Sequence, residues 1–191
     1  MSNQTEAVRS LLSASALEAL LELARATVAA SVQGRPLPRV PAHPELVLPR
    51  GVFVSLHRGG ELRGCLGHLE DDIPVGEVTR RMAVASSRDD PRFPPVAPDE
   101  LEGLDVEVSV LSPFERIRPE DVVPGRDGLL IRRGLRSGVL LPQVATEQRW
   151  DRPAFLRGVC RKAALPAEAW QDPATELYAF RAQVVPAGSR T

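Results

Sequence analysis

The stretch "GVFVSLHRGGELRGCLGHLE", residues 51–70, predicts a β-hairpin. A β-branched and aromatic run comes first, and Gly59-Gly60 marks a tight turn before a second extended segment. If the turn is centred on these two glycines, Val54 lies opposite Cys65. A three-residue loop would reverse the faces. The hairpin is the strongest local signal in the chain, and it places a thiol between glycines in the middle of a strand.

One face of the hairpin would then hold candidate site residues together with core residues. That face carries Arg63, Cys65, Gly67, Val52, Val54 and Leu56, because alternate residues of a strand share a side. His57 falls on the opposite face with Phe53, so we expect no His57–Cys65 pair in this register.

The rest of the chain alternates between helical and extended patterns. Apolar spacing predicts a helix over residues 14–34 with Ser15 as its N-cap, and a second helix with Asp72 as its N-cap. The other predicted elements are a strand over 104–112 with alternate residues facing inward, a hairpin around Gly134, helices over 142–150 and 152–165, the second with Asp151 as its N-cap, and a closing strand over 176–185. This order favours an α+β fold with antiparallel β-sheets flanked by helices.

Composition excludes several classes of function. The 191 residues have a net charge of −1, which gives no footprint for nucleic acid or an anionic membrane. No apolar run approaches the roughly 20 residues of a membrane span, and the N-terminus lacks a secretory pattern, so we expect a cytoplasmic protein. The phosphate-loop, dinucleotide, serine-hydrolase and zinc-protease motifs are absent, and we expect no cofactor.

Cys65 has two interpretations. Arg63, two residues away, would favour the thiolate, and Gly64 and Gly67 would let a ligand approach the backbone closely. Alternatively, Cys65 is a packed strand residue and the glycines only permit tight packing. Cys65 and His68 have Cys-x-x-His spacing, but they form half a metal site and an odd offset separates their faces, so we expect no metal.

Other candidate residues lie far along the chain. Asp90 and Arg92 flank Pro91, so this rigid carboxylate and guanidinium would either orient a ligand or clamp their own loop. Glu147 could supply acid–base help. Lys162, the one lysine in the chain, could bind an anionic group or simply extend its ammonium to water from the last helix.

Taken in order, these blocks resemble the AMMECR domain family, named for the AMME chromosomal region. The resemblance is carried by "GVFVSL", "LRGCLGHLE", "DPRFPPV", "VEVSVLSP", "LLPQVATEQRWD" and "FLRGVCRKAAL". It spans about residues 10–185, which we expect to form a single AMMECR-type domain of two sub-lobes, with flexible termini at 1–9 and 186–191. The block from Leu62 to Gly67 is the hallmark of the family.

The resemblance implies two closely packed lobes with a cleft between them. The family's motif residues carried over to this chain are Arg63, Gly64, Cys65, Gly67, Asp90, Arg92, Phe93, Leu141, Pro142, Glu147, Trp150 and Lys162. Relatives encoded beside radical-SAM and Memo-type proteins imply a shared modification pathway. The chain departs from the family in having "RKAAL" where Lys-Ala-Gly is usual, so the helix containing Lys162 lacks its expected glycine cap.

Two functional hypotheses stay open. In the first, the protein is a thiol-dependent enzyme: Cys65 is the nucleophile, and Arg63, Asp90 and Glu147 assist it. Gly64, Gly67, His68, Arg92 and Lys162 then line the substrate site. In the second, the protein is a non-catalytic binding or adaptor module for a protein partner or small ligand. We expect a small molecule, a peptide or a protein as partner, and neither nucleic acid nor membrane.

Overall fold

The computed structural model of the chain describes residues 11–186 and divides into two compact units. The first unit runs to Leu111 and resumes at Gln183, and the second is Ser112–Ala182. Helices accompany two four-stranded sheets, which confirms the predicted α+β class with antiparallel sheets. The expected flexible termini lie outside the described residues, except for Pro186. Between residues 11 and 186, no helix is both long and apolar enough to cross a membrane.

The first unit holds a sheet of strand order β2-β1-β3-β8. Its elements are α1 (Ala14–Val32), β1 (Val52–Arg58), β2 (Glu61–His68), α2 (Val75–Arg88), a 3₁₀ helix (Pro98–Gly103), β3 (Leu104–Leu111) and β8 (Ala182–Val185). The N-cap of α1 is Ser13, whose Oγ accepts the Ala16 N–H at 3.3 Å, so the prediction of Ser15 was wrong by half a turn. The prediction of Asp72 as the cap of α2 was also wrong, since that position is Pro74.

Burial in the first unit follows the alternation of its strands. Val52, Val54 and Leu56 of β1 are fully buried, and together with alternate residues of β3 they form one core with Leu20 of α1 and Val78 of α2. The intervening β1 residues are only half-buried. One face of the sheet therefore packs against the helices, while the other face presents polar side chains.

The second unit holds a sheet of strand order β4-β7-β5-β6. Its elements are β4 (Glu115–Arg116), β5 (Gly128–Arg133), β6 (Arg136–Leu140), α3 (Pro142–Glu147), α4 (Arg152–Lys162), β7 (Glu176–Phe180) and two short 3₁₀ helices. Asp151 caps α4 as predicted, because its carboxylate accepts the Ala154 N–H at 2.9 Å. Residues 176–185 were predicted as one strand, but the ladder breaks at Arg181, and β7 and β8 join different sheets.

The end of α4 shows how this chain forms the helix end without the glycine that is usual in the family. Ala164 adopts a left-handed backbone with φ of 53°, the conformation for which helix ends usually select glycine. The Leu165 N–H donates to the Cys160 carbonyl at 2.9 Å, which closes the last turn. The chain thus keeps the usual geometry of the helix end and accommodates an alanine in it.

Candidate functional site

The β1–β2 hairpin contains a bulge that changes the predicted register. The tight turn is as predicted, with Arg58 opposite Glu61 and His57 opposite Leu62. The register then shifts, Arg63 is left without an opposite residue on β1, and Leu56 lies opposite Gly64. An extra residue on one strand reverses the faces of everything beyond it. Cys65 therefore lies opposite Ser55 rather than Val54.

This register overturns the predicted faces. Cys65 shares the side of Phe53 and Ser55, away from the buried face of β1, so the predicted grouping with the core was wrong. Alternation along β1 also puts His57 on the Cys65 side, contrary to prediction. Leu66, the apolar neighbour of Cys65, offered a signal, because it lies opposite the buried Val54 and is itself half-buried.

Asp90 holds the backbone of Cys65. Its buried carboxylate accepts the Cys65 N–H at 2.8 Å, and the Arg92 guanidinium donates to the Cys65 carbonyl at 2.9 Å. Arg92 also donates to both oxygens of Asp90, from Nε at 2.9 Å and from a terminal nitrogen at 2.7 Å. These bonds and the charge of Arg92 hold the pKa of Asp90 well below its usual range, although burial opposes the shift. We call this arrangement the Asp90–Arg92 clamp.

The clamp acts on an edge strand. β2 is the outer strand of its sheet, so one side of its backbone has no neighbouring strand. The N–H and C=O of one residue point to the same side of an antiparallel strand, and here a carboxylate and a guanidinium take the place of a neighbour. Both peptide groups of Cys65 are fixed, while its side chain stays half-buried.

Arg63 binds a different segment. Its guanidinium forms two bonds with Glu100, from Nε at 2.8 Å and from a terminal nitrogen at 2.9 Å, and it also donates to the Pro94 carbonyl at 2.9 Å. The hydrogen bonds from Arg63 and from the Ala97 N–H lower the pKa of Glu100 to about 2. Sequence reasoning missed Glu100, because no local pattern links a strand residue to a carboxylate 37 positions away.

The two glycines of the hallmark block accommodate other parts of the chain. A Cβ on Gly64 would overlap the carbonyl oxygen of Ser86 in α2, and a Cβ on Gly67 would overlap the ring of Phe53. The Ser86 hydroxyl accepts the Leu66 N–H at 2.9 Å and donates to the Val54 carbonyl at 2.8 Å. These glycines therefore serve the packing of α2 and of an aromatic ring.

The Ser55 hydroxyl contacts the Cys65 thiol and donates to Sγ at 3.2 Å. The pKa of Arg92 is raised, chiefly by its hydrogen bonds to Asp90. The cation next to Cys65 is Arg92, which binds the carbonyl of that residue, whereas Arg63 is occupied by Glu100. In contrast, Cys160 is fully buried, and burial raises the pKa of its thiol.

His68 lies on the opposite side of β2 from Cys65, as its odd offset predicts. Its Nε2 lies 2.6 Å from an oxygen of Asp72, and the bond from His68 lowers the pKa of that carboxyl. Glu70 brings a third potential ligand atom within 4.8 Å of these two groups, with His68 half-buried and both carboxylates exposed. Cys65 and His68 therefore do not converge on one ion.

The remaining predicted residues belong to the second unit. Glu147 is exposed at the last residue of α3, and Lys162 is exposed at the last residue of α4. Lys162 forms no ion pair with any residue between 11 and 186. The structure brings Cys65, Asp90 and Arg92 into one contact network, with Arg63 in a neighbouring one.

Comparison with known proteins gives consistent matches over most of the chain. The AMMECR1 family model matches residues 21–185. A protein from Methanothermobacter thermautotrophicus is 42% identical over 174 residues, which cover 86% of this chain and 91% of that protein. Protein TK0174 from Thermococcus kodakarensis is 44% identical over 180 residues, covering 87% and 88%. The crystal structure of the uncharacterized protein PH0010 from Pyrococcus horikoshii is similar with a TM-score of 0.81 and 41% identity, covering 88% of this chain and 89% of that one.

Proposed function

This chain belongs to the AMMECR1 family, and from that premise we propose that it is a thiol-dependent enzyme in which Cys65 is the nucleophile. The substrate is a small molecule or peptide with a carboxylate or carbonyl group that Arg92 binds. The observation that carries the proposal is the Asp90–Arg92 clamp, which fixes both peptide groups of Cys65 and leaves its thiol half-buried.

The clamp is the kind of support that a reacting side chain needs. A nucleophile must be held in place by surrounding hydrogen bonds, and a buried carboxylate that fixes one backbone residue provides this. A cysteine that only fills space needs no such arrangement, and Cys160 lies in its core without one. The contrast between the two cysteines favours a chemical role for Cys65.

Each neighbouring group has a role in this proposal. The Ser55 hydroxyl holds the sulfur in place while the Cys65 thiol adds to a carbonyl carbon of the substrate; the C=O π pair moves onto the oxygen, and the thiol proton passes through water to that oxygen. Arg92 uses Nε and one terminal nitrogen in the clamp, and its side chain is 53% exposed, so its other terminal nitrogen can bind the substrate. Asp90 acts as a positioning residue, since its oxygens are occupied and it stays ionised.

The wider parts of the proposal involve the second unit and other proteins. Glu147 and Lys162 remain predicted acid–base and charge groups, and the cleft between two lobes remains a prediction. The pathway with radical-SAM and Memo-type proteins, implied by the resemblance, is likewise part of the proposal.

Paired alkylating reagents test the role of Arg92. Iodoacetate and iodoacetamide form the same carbon–sulfur bond, but only iodoacetate is an anion. The measured quantity is the rate of Cys65 alkylation by iodoacetate divided by the rate with iodoacetamide. We expect this ratio to be about twofold to fivefold higher in the native protein than in urea, because a partly solvated cation attracts the anionic reagent. Arg92→Gln should remove this preference, and Arg92→Lys should retain part of it.

Arg58→Gln is the matched control, because Arg58 lies on the adjacent strand with its side chain 52% exposed. It should leave the ratio unchanged. An unchanged ratio in native protein, or an equal loss in both glutamine variants, would contradict the assignment of Arg92.

A second function is favoured by one observation. Among residues 11–186, no carboxylate or imidazole hydrogen-bonds to the Cys65 sulfur, so no general base contacts it. A non-catalytic binding or adaptor module would need none. That function predicts that Cys65→Ala and Cys65→Ser retain a captured partner in pull-downs with the wild-type strength, whereas the enzyme predicts that Cys65→Ala abolishes turnover.

A further inference from the structure

A small cavity in the second unit is lined by three arginines. It has a volume of about 160 Å³ and lies where β4, the segment before β5 and the residue after β7 meet. The charged residues on its wall are Glu115, Arg116, Arg126, Asp127 and Arg181. None of these residues takes part in the Cys65 site described above.

Asp127 forms the centre of this cluster. Its side chain is 3% exposed, and Arg126 meets both of its oxygens, at 2.8 and 2.7 Å. The Val123 N–H donates to the same carboxylate at 2.9 Å. Burial disfavours the charge of Asp127, but these hydrogen bonds outweigh it and the pKa of Asp127 lies below its usual value. Arg126 therefore makes the closest ion pair with the buried carboxylate.

The other two arginines supply surplus positive charge. The Nε of Arg181 lies 3.4 Å from an oxygen of Asp127, and the Arg181 side chain is 54% exposed. Within residues 11–186, Arg116 has one ion pair, with Glu176 at 3.8 Å. Glu115 and Arg116 are both exposed, so solvent screens both charges, and the three arginines and two carboxylates of the wall leave one positive charge in excess. Both guanidiniums keep terminal N–H donors without a partner among residues 11–186.

The chemistry of this cluster fits an oxyanion. Guanidinium groups present forked donors that match the paired oxygens of phosphate and carboxylate groups. Asp127 holds Arg126 and attracts Arg181, which positions the Arg181 guanidinium for such a ligand. The cavity volume is large enough for a phosphate group. It is too small for a whole nucleotide, because pockets that bind larger ligands exceed about 300 Å³.

We propose that this cavity is an oxyanion site that binds a phosphate group through Arg116 and Arg181, with Asp127 and Arg126 as its support. The phosphate belongs either to free inorganic phosphate or to the end of a phosphomonoester whose remainder lies outside the cavity. The site is independent of Cys65, so the failure of one proposal leaves the other intact.

Calorimetric titration of the full chain with inorganic phosphate tests the proposal, against sodium chloride of equal ionic strength. We expect saturable binding of one phosphate per chain. Arg181→Gln should weaken it about tenfold, the usual loss for a charge-assisted bond, and should fold because Asp127 keeps Arg126. Arg116→Gln is a second variant with the same expected direction.

Arg118→Gln is the matched control. Arg118 lies two residues from Arg116 and pairs with Asp121 at 2.8 Å, outside the cavity wall. This variant should bind phosphate within about twofold of wild type, because it leaves the charge-assisted bonds of the site intact. Glycerol phosphate distinguishes the sources: tighter binding than phosphate assigns a phosphomonoester, and weaker binding assigns the free ion. Heat no greater than that of chloride, or equal weakening by Arg118→Gln and Arg181→Gln, would overturn the proposal.

Discussion

Replacement of Asp90 by asparagine should destabilise the first unit through the Asp90–Arg92 clamp. The carboxylate accepts one bond from Cys65 and three from Arg92, and it is 4% exposed. An asparagine keeps one acceptor oxygen. Its N–H₂ group replaces the second oxygen and faces N–H donors that are left without an acceptor. Arg92 is half-exposed, so water can solvate it once freed. We expect a loss of about 2–3 kcal/mol, the range for hydrogen bonds to a buried charge.

The assay must report on the correct unit. Both tryptophans and the one tyrosine of the chain lie in the second unit, so intrinsic fluorescence would miss the effect. Far-UV circular dichroism in urea, combined with hydrogen exchange of peptides from β2, reports on the first. Asp89→Asn is the matched control, because Asp89 is the adjacent exposed carboxylate, and it should change stability by less than about 0.5 kcal/mol.

The pH dependence gives a further check on the clamp. The pKa of Asp90 is depressed in the folded chain, so its contribution is present above the unfolded pKa of about 4 and is lost as pH falls below that value. The stability difference between wild type and Asp90→Asn should therefore shrink under acid. A variant as stable as Asp89→Asn, or a difference that grows at low pH, would refute this reasoning.

Three further perturbations follow from the contacts. Gly64→Ala should cost about 2–3 kcal/mol in urea unfolding by circular dichroism, since its methyl meets the backbone oxygen of Ser86; near-neutrality would refute the close approach. Glu100→Gln should remove about 1–3 kcal/mol of stability at neutral pH and none below about pH 2, because the pKa of Glu100 is lowered to about 2; a pH-independent loss would contradict the ion pair. Ala164→Gly should stabilise the second unit by about 0.5–1 kcal/mol by tryptophan fluorescence, whereas Ala163→Gly, at φ of −85°, should destabilise it; equal signs would contradict the left-handed helix end.

The sequence predicted those parts of the fold that depend on local patterns. The hairpin turn at Gly59-Gly60, the Asp151 cap and the alternating burial at the start of β3 follow from residues within a few positions of each other, whereas Ser109 in β3, predicted to face outward, is buried. The bulge at Arg63 was not predicted in this way, and the close contact of Gly64 with Ser86 in α2 likewise joins residues that no local pattern links.

The sequence identified residues of the site but did not predict which of them contact one another. Asp90 and Arg92 were identified as a rigid pair, with ligand orientation and loop clamping left open, and the structure shows a clamp on the Cys65 backbone. Arg63 was expected beside the thiol but pairs with Glu100. Which guanidinium meets which carboxylate is decided by contacts across tens of residues, and Ser55 became a neighbour of Cys65 only through the register shift.

The central claim is that the clamp presents a reactive Cys65 thiol. Iodoacetamide labelling of the native protein, followed by mass spectrometry of both cysteine peptides over a range of pH, tests it most directly. We predict that Cys65 reacts within about tenfold of its rate in urea, as a partly accessible thiolate would, while Cys160 reacts only when its unit unfolds. Protection of Cys65 equal to that of Cys160 across the pH range would contradict the account.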